Sequence, residues 1–255
     1  MIYPILDPAC PIPALKHLCA LVVMAKAPRP GKVKTRLSPP LTLDQTASLN
    51  VRFLRDTTEN LATIAGSAGL ISYTPVGDES LFDDLLPETF ALVPQRGDIF
   101  GERLLAAVED ILAIGYGAVT LINSDSPTVP SAAFQQAVDA LAKPGDRIVL
   151  GPAQDGGYYL IGLKQAHPEP FERISWSTST VLEETMARCR EASLEVVLLP
   201  TWYDVDDAQT LAILEAEVLE GQRPAFALVD GYAAPHTREL LLTLGRTTQT
   251  TVQTA

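Results

Sequence analysis

Four short stretches of the chain carry side chains whose types and spacing can do chemistry. Residues 25–37, AKAPRPGKVKTRL, hold Lys26, Arg29, Lys32, Lys34 and Arg36, five cations in eleven residues of a chain whose net charge is −12. Gly31 and the prolines permit a tight turn with exposed backbone N–H groups, and such groups with Lys and Arg bind phosphate oxygens. The spacing fits neither GxxxxGK[ST] nor GxGxxG, and a solvated basic loop is the plain alternative. Residues 123–127, NSDSP, place Asp125 just past an apolar run, although Asp and Ser before Pro also form turns and caps. Residues 151–163 contain Asp155 before Gly156 and Gly157, a pair that lets backbone turn or approach a ligand closely; a simple Asp-Gly hairpin turn competes with that reading. Residues 202–211 carry Asp204, Asp206 and Asp207 ahead of a helical pattern, and Asp206 or Asp207 is expected to cap it. Neighbouring carboxylates repel unless a positive charge sits among them. A hard dication supplies one, so Asp125 and Asp206 are expected to converge on Mg²⁺ or Mn²⁺. Together the stretches describe a site for a nucleoside di- or triphosphate, with the cationic loop on base or phosphate.

Elements that must position these residues alternate along the chain. Apolar runs at 18–25, 70–74, 90–94, 118–122, 147–153, 158–163 and 195–200 read as strands. Helical spacing covers 42–64, a short piece at 79–86, then 100–114, 131–141, 180–192, 207–220 and 235–244, with the Thr/Gln-rich end expected to be loose. The connection between 147–153 and 158–163 is too short for a crossover helix, so that pair is expected to run antiparallel or bend sharply. The pattern predicts an α/β fold: a largely parallel sheet with helices on both faces. In such sheets ligands bind beyond the carboxyl ends of the strands, where Asp125 would stand.

The totals narrow the classes. At 255 residues the chain fits one α/β unit with extensions, divided here into a Pro-rich 1–17, a nucleotide-binding catalytic domain at 18–221 and a C-terminal 222–255. A charge of −12 argues against extended nucleic acid as a partner. No apolar run approaches the roughly 18 residues of a membrane helix, and no secretory leader is read at the N-terminus. Cys10, Cys19 and Cys189 are odd in number and widely spaced, which fits a reducing cytoplasm and no disulfide framework. The three histidines lack metal-ligand spacing, and the motifs of nicotinamide enzymes, serine hydrolases and zinc enzymes are absent.

Five motifs occur in an order that resembles a known family: MAKAPRPGKVKTRL, SDSPTVP, GPAQDGGYYLIGL, WSTSTVLEET and YDVDD. Over about residues 18–220 the chain resembles the GT-A-fold nucleotide-diphospho-sugar transferases, in particular the bacterial glycosyltransferase A group known as radical-SAM/selenodomain-associated transferases. The resemblance implies a three-layer α/β/α architecture on a seven-stranded mixed sheet with one antiparallel strand. It puts Asp125 at the place of a DxD motif, here Ser124-Asp125-Ser126 with a single carboxylate, and Asp206 at the second metal ligand of related nucleotidyltransferases. The segment QRGDIFGER, with Gln95, resembles the part that closes the nucleotide pocket. Family members usually have Gly where this chain has Asn123.

The leading reading is a metal-dependent transferase that moves a glycosyl group from an NDP-sugar to a small acceptor. Lys26, Gly31, Lys32, Lys34, Arg36, Gln95, Gly156 and Gly157 would then bind nucleotide or phosphate, Asp125 and Asp206 the metal, and Asp155 would act as acceptor base; under nucleotidyl transfer, catalysis would fall to Lys34 or Arg36, stabilising charge at the α-phosphate. A nucleotidyltransferase joining an NTP to a phosphorylated acceptor, with release of pyrophosphate, is the alternative. A non-catalytic nucleotide-binding protein is the third.

Overall fold

The computed structural model describes residues 2–253, with side chains placed through residue 245. Seven strands form one sheet: β1 (Cys19–Lys26), β2 (Ser67–Thr74), β3 (Ala91–Pro94), β4 (Ala118–Ile122), β5 (Ile148–Pro152), β6 (Tyr158–Leu163) and β7 (Val196–Leu198). Their order is β3-β2-β1-β4-β6-β5-β7, and only β6 runs antiparallel to its neighbours. The helices are α1 (Leu43–Ala62), α2 (Phe100–Ile114), α3 (Ser131–Ala142), α4 (Val181–Glu191), α5 (Ala208–Glu220) and α6 (Pro235–Gln253).

Strand periodicity divides the core in two. In β1, Leu21, Val23 and Ala25 face a layer shared with α1, α3, α5 and α6, while Ala20 and Val22 face α2 and α4. This alternation gives the three-layer α/β/α architecture expected from continuous apolar strands. Burial on both faces explains why these strands show no polar alternation of their own.

Most element positions agree with the sequence reading, and the differences have local causes. The piece expected as a helix at 79–86 is a single 3₁₀ turn, Glu79–Phe82. The last helix passes the expected end at residue 244 and continues to Gln253, where a loose segment was expected; residues 254–255 lie outside the described ones. Its start is fixed by Asp56 of α1, whose carboxylate accepts from His236 N at 3.0 Å and Thr237 N at 2.8 Å. The N-terminal segment lies along the β3 edge. Ile5 bridges Leu92, Tyr3 is buried, and the Tyr3 hydroxyl donates to Leu86 O at 2.6 Å. The covering segment satisfies backbone groups that an open edge would expose.

All the parallel strands end on one edge of the sheet, and β6 begins there. The candidate residues must therefore meet on that edge.

Candidate active site

Asp125 follows β4 directly. β4 ends at Ile122 and α3 starts only at Ser131, so the aspartate stands in a loop at the edge. β7 is regular for only three residues, but its chain remains tied to β5: Trp202 N donates to Pro152 O at 2.9 Å and Gln154 N to Trp202 O at 3.0 Å. That tie delivers Asp204 and Asp206 to the same edge. Val205 N then donates to Asp125 O at 2.9 Å, fastening the two acidic loops together. Asp207 is the helix cap: its carboxylate accepts from Thr210 N at 2.8 Å, which leaves Asp206 available for the site.

The two carboxylates meet around a charge supplied by the chain itself. Lys34 Nζ lies 2.8 Å from Asp125 Oδ1 and 3.0 Å from Asp206 Oδ1, and donates to Val205 O at 2.8 Å. An ammonium has three hydrogens, and these three oxygens use them all. The Lys34 side chain is only 5 % exposed. Burial alone would lower its pKa, but the two adjacent carboxylates outweigh that and raise it. The Lys34 backbone is left-handed, with φ 50°, a conformation costing about 1 kcal/mol or more for a residue other than glycine. Here it places the ammonium at the convergence point. Lys34 thus faces carboxylates in this structure, where an open approach to phosphate was expected.

The other cations divide. Lys26 and Lys32 are exposed, line the cleft beside Asp125, and make no ion pair among the described residues. Arg36 donates to Asp206 Oδ2 at 2.5 Å and keeps most of its side chain in solvent. Arg29 is drawn away by Asp78, which it meets at 2.5 and 2.7 Å.

Two adjoining clefts open along this edge. The first, about 480 Å³, has Lys26, Lys32, Lys34, Arg36, Arg103 and Gln95 in its walls. The second, about 460 Å³, extends over β6 toward residues 176–181. Asp125 and Asp206 line both, so the carboxylate pair stands at the junction. Gln95 is held in the first cleft by its amide, which donates to Ser72 O at 2.7 Å.

Three expected contributors take different places. Gly31 forms the turn of the basic loop, with φ +72°, and lies outside the cleft walls. At Gly156, φ is +89° and an added Cβ would lie 2.0 Å from Ser179 O, so its close approach is to the chain's own backbone. Asp155 accepts from Gly157 N at 2.8 Å, the turn expected as its plain role, yet both residues also line the second cleft.

Several residues at the clefts had been given no site role from the sequence. Asp204 accepts from Asn123 Nδ2 at 2.7 Å and from Ser126 Oγ, and it lines the second cleft. Burial pushes its pKa up to about 6; the bonds from Ser126 and Asn123 oppose the shift, and Asp125 and Asp155 add to it. Asn123, noted as a departure from Gly, also accepts from Asp125 N at 3.3 Å, so one amide orients both aspartates. Asn50 of α1 is 4 % exposed, lines the first cleft, and leaves its amide oxygen without a partner. Its signal in the sequence was a polar residue beside the apolar stripe of Ala47, Val51 and Leu54. Phe100 and Trp176, with ring centroids 5.0 Å apart, line the second cleft and had no periodic signal of their own.

A protein from Desulfovibrio desulfuricans G20, provisionally described as a nucleotide-diphospho-sugar transferase, has 32 % sequence identity to this chain. The match covers 89 % of this chain and 97 % of that one, with a TM-score of 0.73. The chain belongs to the nucleotide-diphospho-sugar transferase superfamily. The model for a bacterial family described as "Uncharacterized protein conserved in bacteria (DUF2064)" matches residues 57–178 of this superfamily member. Two more distant structures share the fold. One is 4-diphosphocytidyl-2C-methyl-D-erythritol synthase from Anaerococcus prevotii, at 9 % identity and TM-score 0.52, matching 80 % of this chain and 97 % of that one. The other is a cytidylyltransferase from Leptospira borgpetersenii, at 11 % identity and TM-score 0.51, matching 91 % and 96 %. No curated protein matches the chain. Among the described residues no helix is long and apolar enough to cross a membrane.

Proposed function

We propose that this superfamily member is a glycosyltransferase taking a nucleoside-diphosphate sugar as donor. The observation that carries the reading is the junction: a cleft walled by cations meets an acidic cleft at Asp125 and Asp206. A diphosphate is a polyanion, so it suits the first cleft, where Lys26 and Lys32 have ammonium groups free for its oxygens. Asn50 offers an unpaired amide oxygen to a donor group on the nucleotide.

In the reaction an acceptor hydroxyl oxygen bonds to the anomeric carbon of the sugar. The bond from that carbon to the phosphate oxygen breaks, and its electron pair leaves with the nucleoside diphosphate. Asp155, at the acceptor side, takes the hydroxyl proton. Lys34 holds the junction carboxylates in register and places positive charge beside the leaving group.

Asp125 and Asp206 fit Mg²⁺ or Mn²⁺ in kind, because Mg²⁺ sites commonly use one or two carboxylates with substrate phosphates completing the shell. Among the described residues no set of three or more His, Cys, Asp or Glu is grouped to hold a metal, and Lys34 Nζ lies between the two carboxylates, so a dication there would compete with the ammonium for them. A bound dication would neutralise the diphosphate.

The motif order supports placing the chain in the radical-SAM/selenodomain-associated group, and the composition supports a cytoplasmic enzyme. Nucleotidyl transfer to a phosphorylated acceptor is the second reading, supported by the fold shared with cytidylyltransferases. The products separate the two. Incubating the protein with NDP-sugars and with NTPs should release nucleoside diphosphate from an NDP-sugar. Pyrophosphate from an NTP would overturn glycosyl transfer. Asp125→Ala should reduce turnover at least a hundred-fold, and undiminished turnover would remove Asp125 from the site.

A further inference from the structure

We infer that the second cleft takes a hydroxylated acceptor that carries no phosphate or carboxylate and presents an apolar face to Phe100 and Trp176. The inference rests on the transferase reading above and adds the acceptor's chemical class. The two clefts have opposite electrostatic character. The first is walled by five cations and two carboxylates. The second has four carboxylates, Asp125, Asp155, Asp204 and Asp206, and one cation, Arg36. That cation is already paired with Asp206 at 2.5 Å.

A dianionic phosphate ester in this cleft would lose water and find no unpaired cation in exchange. Lys34 and Arg36 already offset Asp125 and Asp206, whereas Asp155 and Asp204 have no cationic partner among the described residues. Clefts of one sign focus their field on a ligand held between low-dielectric walls, so the discrimination extends beyond direct contacts.

The remaining lining describes what is accepted. Leu104, Ile161 and Val181 contribute apolar surface. Phe100 and Trp176 meet edge to face at 84°, and Phe100 is 51 % exposed. Aromatic rings in this state bury the apolar face of a planar or cyclic ligand favourably. Exposed Ser177, Thr178 and Ser179 and the Asp155 carboxylate supply the hydrogen-bonding partners that a polyol needs.

Trp176 gives the test its signal. The chain has two tryptophans, and the other, Trp202, is 1 % exposed in the core and outside the cleft. Emission is followed while the full chain, nucleotide-free and then with Mn²⁺ and nucleoside diphosphate, is titrated with matched pairs. Suitable pairs are glucose and glucose 6-phosphate, glycerol and glycerol 3-phosphate, and phenyl glucoside and its 6-phosphate. At least one neutral compound should shift the emission at ten-fold or lower concentration than its phosphate. Trp176→Phe should abolish the signal, and Asp155→Lys should narrow the ratio. Equal or tighter binding of the phosphates, or no response to any compound, overturns the inference. Calorimetry of the nucleotide in the same samples keeps the readings apart: its failure counts against the donor site, whereas phosphate preference with nucleotide bound counts against the acceptor class alone.

Discussion

Lys34 shows how the site balances its charges. Two partly exposed carboxylates surround a buried ammonium, and each side depends on the other. Replacing Lys34 with Met should leave Asp125 and Asp206 repelling one another and cost about 1–3 kcal/mol in urea unfolding. The same variant should bind Mn²⁺ without nucleotide at least ten-fold more tightly than the wild type, read from the spin-resonance signal of free Mn²⁺. Unchanged affinity would mean that the ammonium and the metal do not share a place. Asp204 makes a pH-dependent prediction. Its carboxyl has a pKa of about 6 in the folded chain against 3.8 for the free side chain. A raised carboxyl pKa means that ionisation costs the native state, so stability is lost as pH rises from about 4 through about 6. Asp204→Asn cannot ionise and can still accept from Asn123 and Ser126. In the metal-free protein its stability relative to wild type should rise by up to about 3 kcal/mol between pH 4 and pH 7. A flat difference would show that burial of Asp204 is relieved in solution.

At the scale of elements, the β5–β6 turn is held by what it packs against. Gly156 combines positive φ with the backbone of Ser179 at its α-carbon, and Leu182 N donates to Gly156 O at 2.8 Å. Gly156→Ala should therefore cost more than about 2 kcal/mol and loosen residues 176–181, lowering thermal stability and raising amide exchange there. A neutral result would mean that the loop yields freely. The antiparallel pair β5–β6 was legible because four residues cannot carry a crossover, and α2 because Leu104, Val108 and Ile111 keep helical period. The shape of the acidic junction was legible only in part. Sequence spacing pointed to Asp125 and Asp206, since each follows an apolar run, but could not show that Lys34 fills the point between them. That contact spans about 90 residues to Asp125 and 172 to Asp206, and depends on a left-handed backbone at a residue with no glycine to announce it. Asp204 was hidden for a similar reason: its partner Asn123 is 81 residues away.

Across the whole molecule, the sheet edge gathers loops from both halves of the chain, and the two end segments brace the layers behind it. Tyr3 and α6 belong to the same core layer as α1, the helix that carries Asn50 into the first cleft. Loss of the Asp56 carboxylate, as in Asp56→Ala, should leave two N–H groups at the start of α6 unpaired and cost about 1–2 kcal/mol, with faster proteolysis between residues 222 and 235. Equal protease resistance would show that α6 is held without its cap. The central claim is that a cationic loop and a junction of two aspartates grip a nucleoside diphosphate. It is tested most directly by calorimetry of UDP, GDP, CDP and ADP against the full chain, with and without Mn²⁺, alongside Asp125→Asn and Asp206→Asn. The account predicts that at least one diphosphate binds with Mn²⁺ and weakens ten-fold or more when the metal or either carboxylate is removed. Binding of none, or binding that both substitutions leave unchanged, would contradict it.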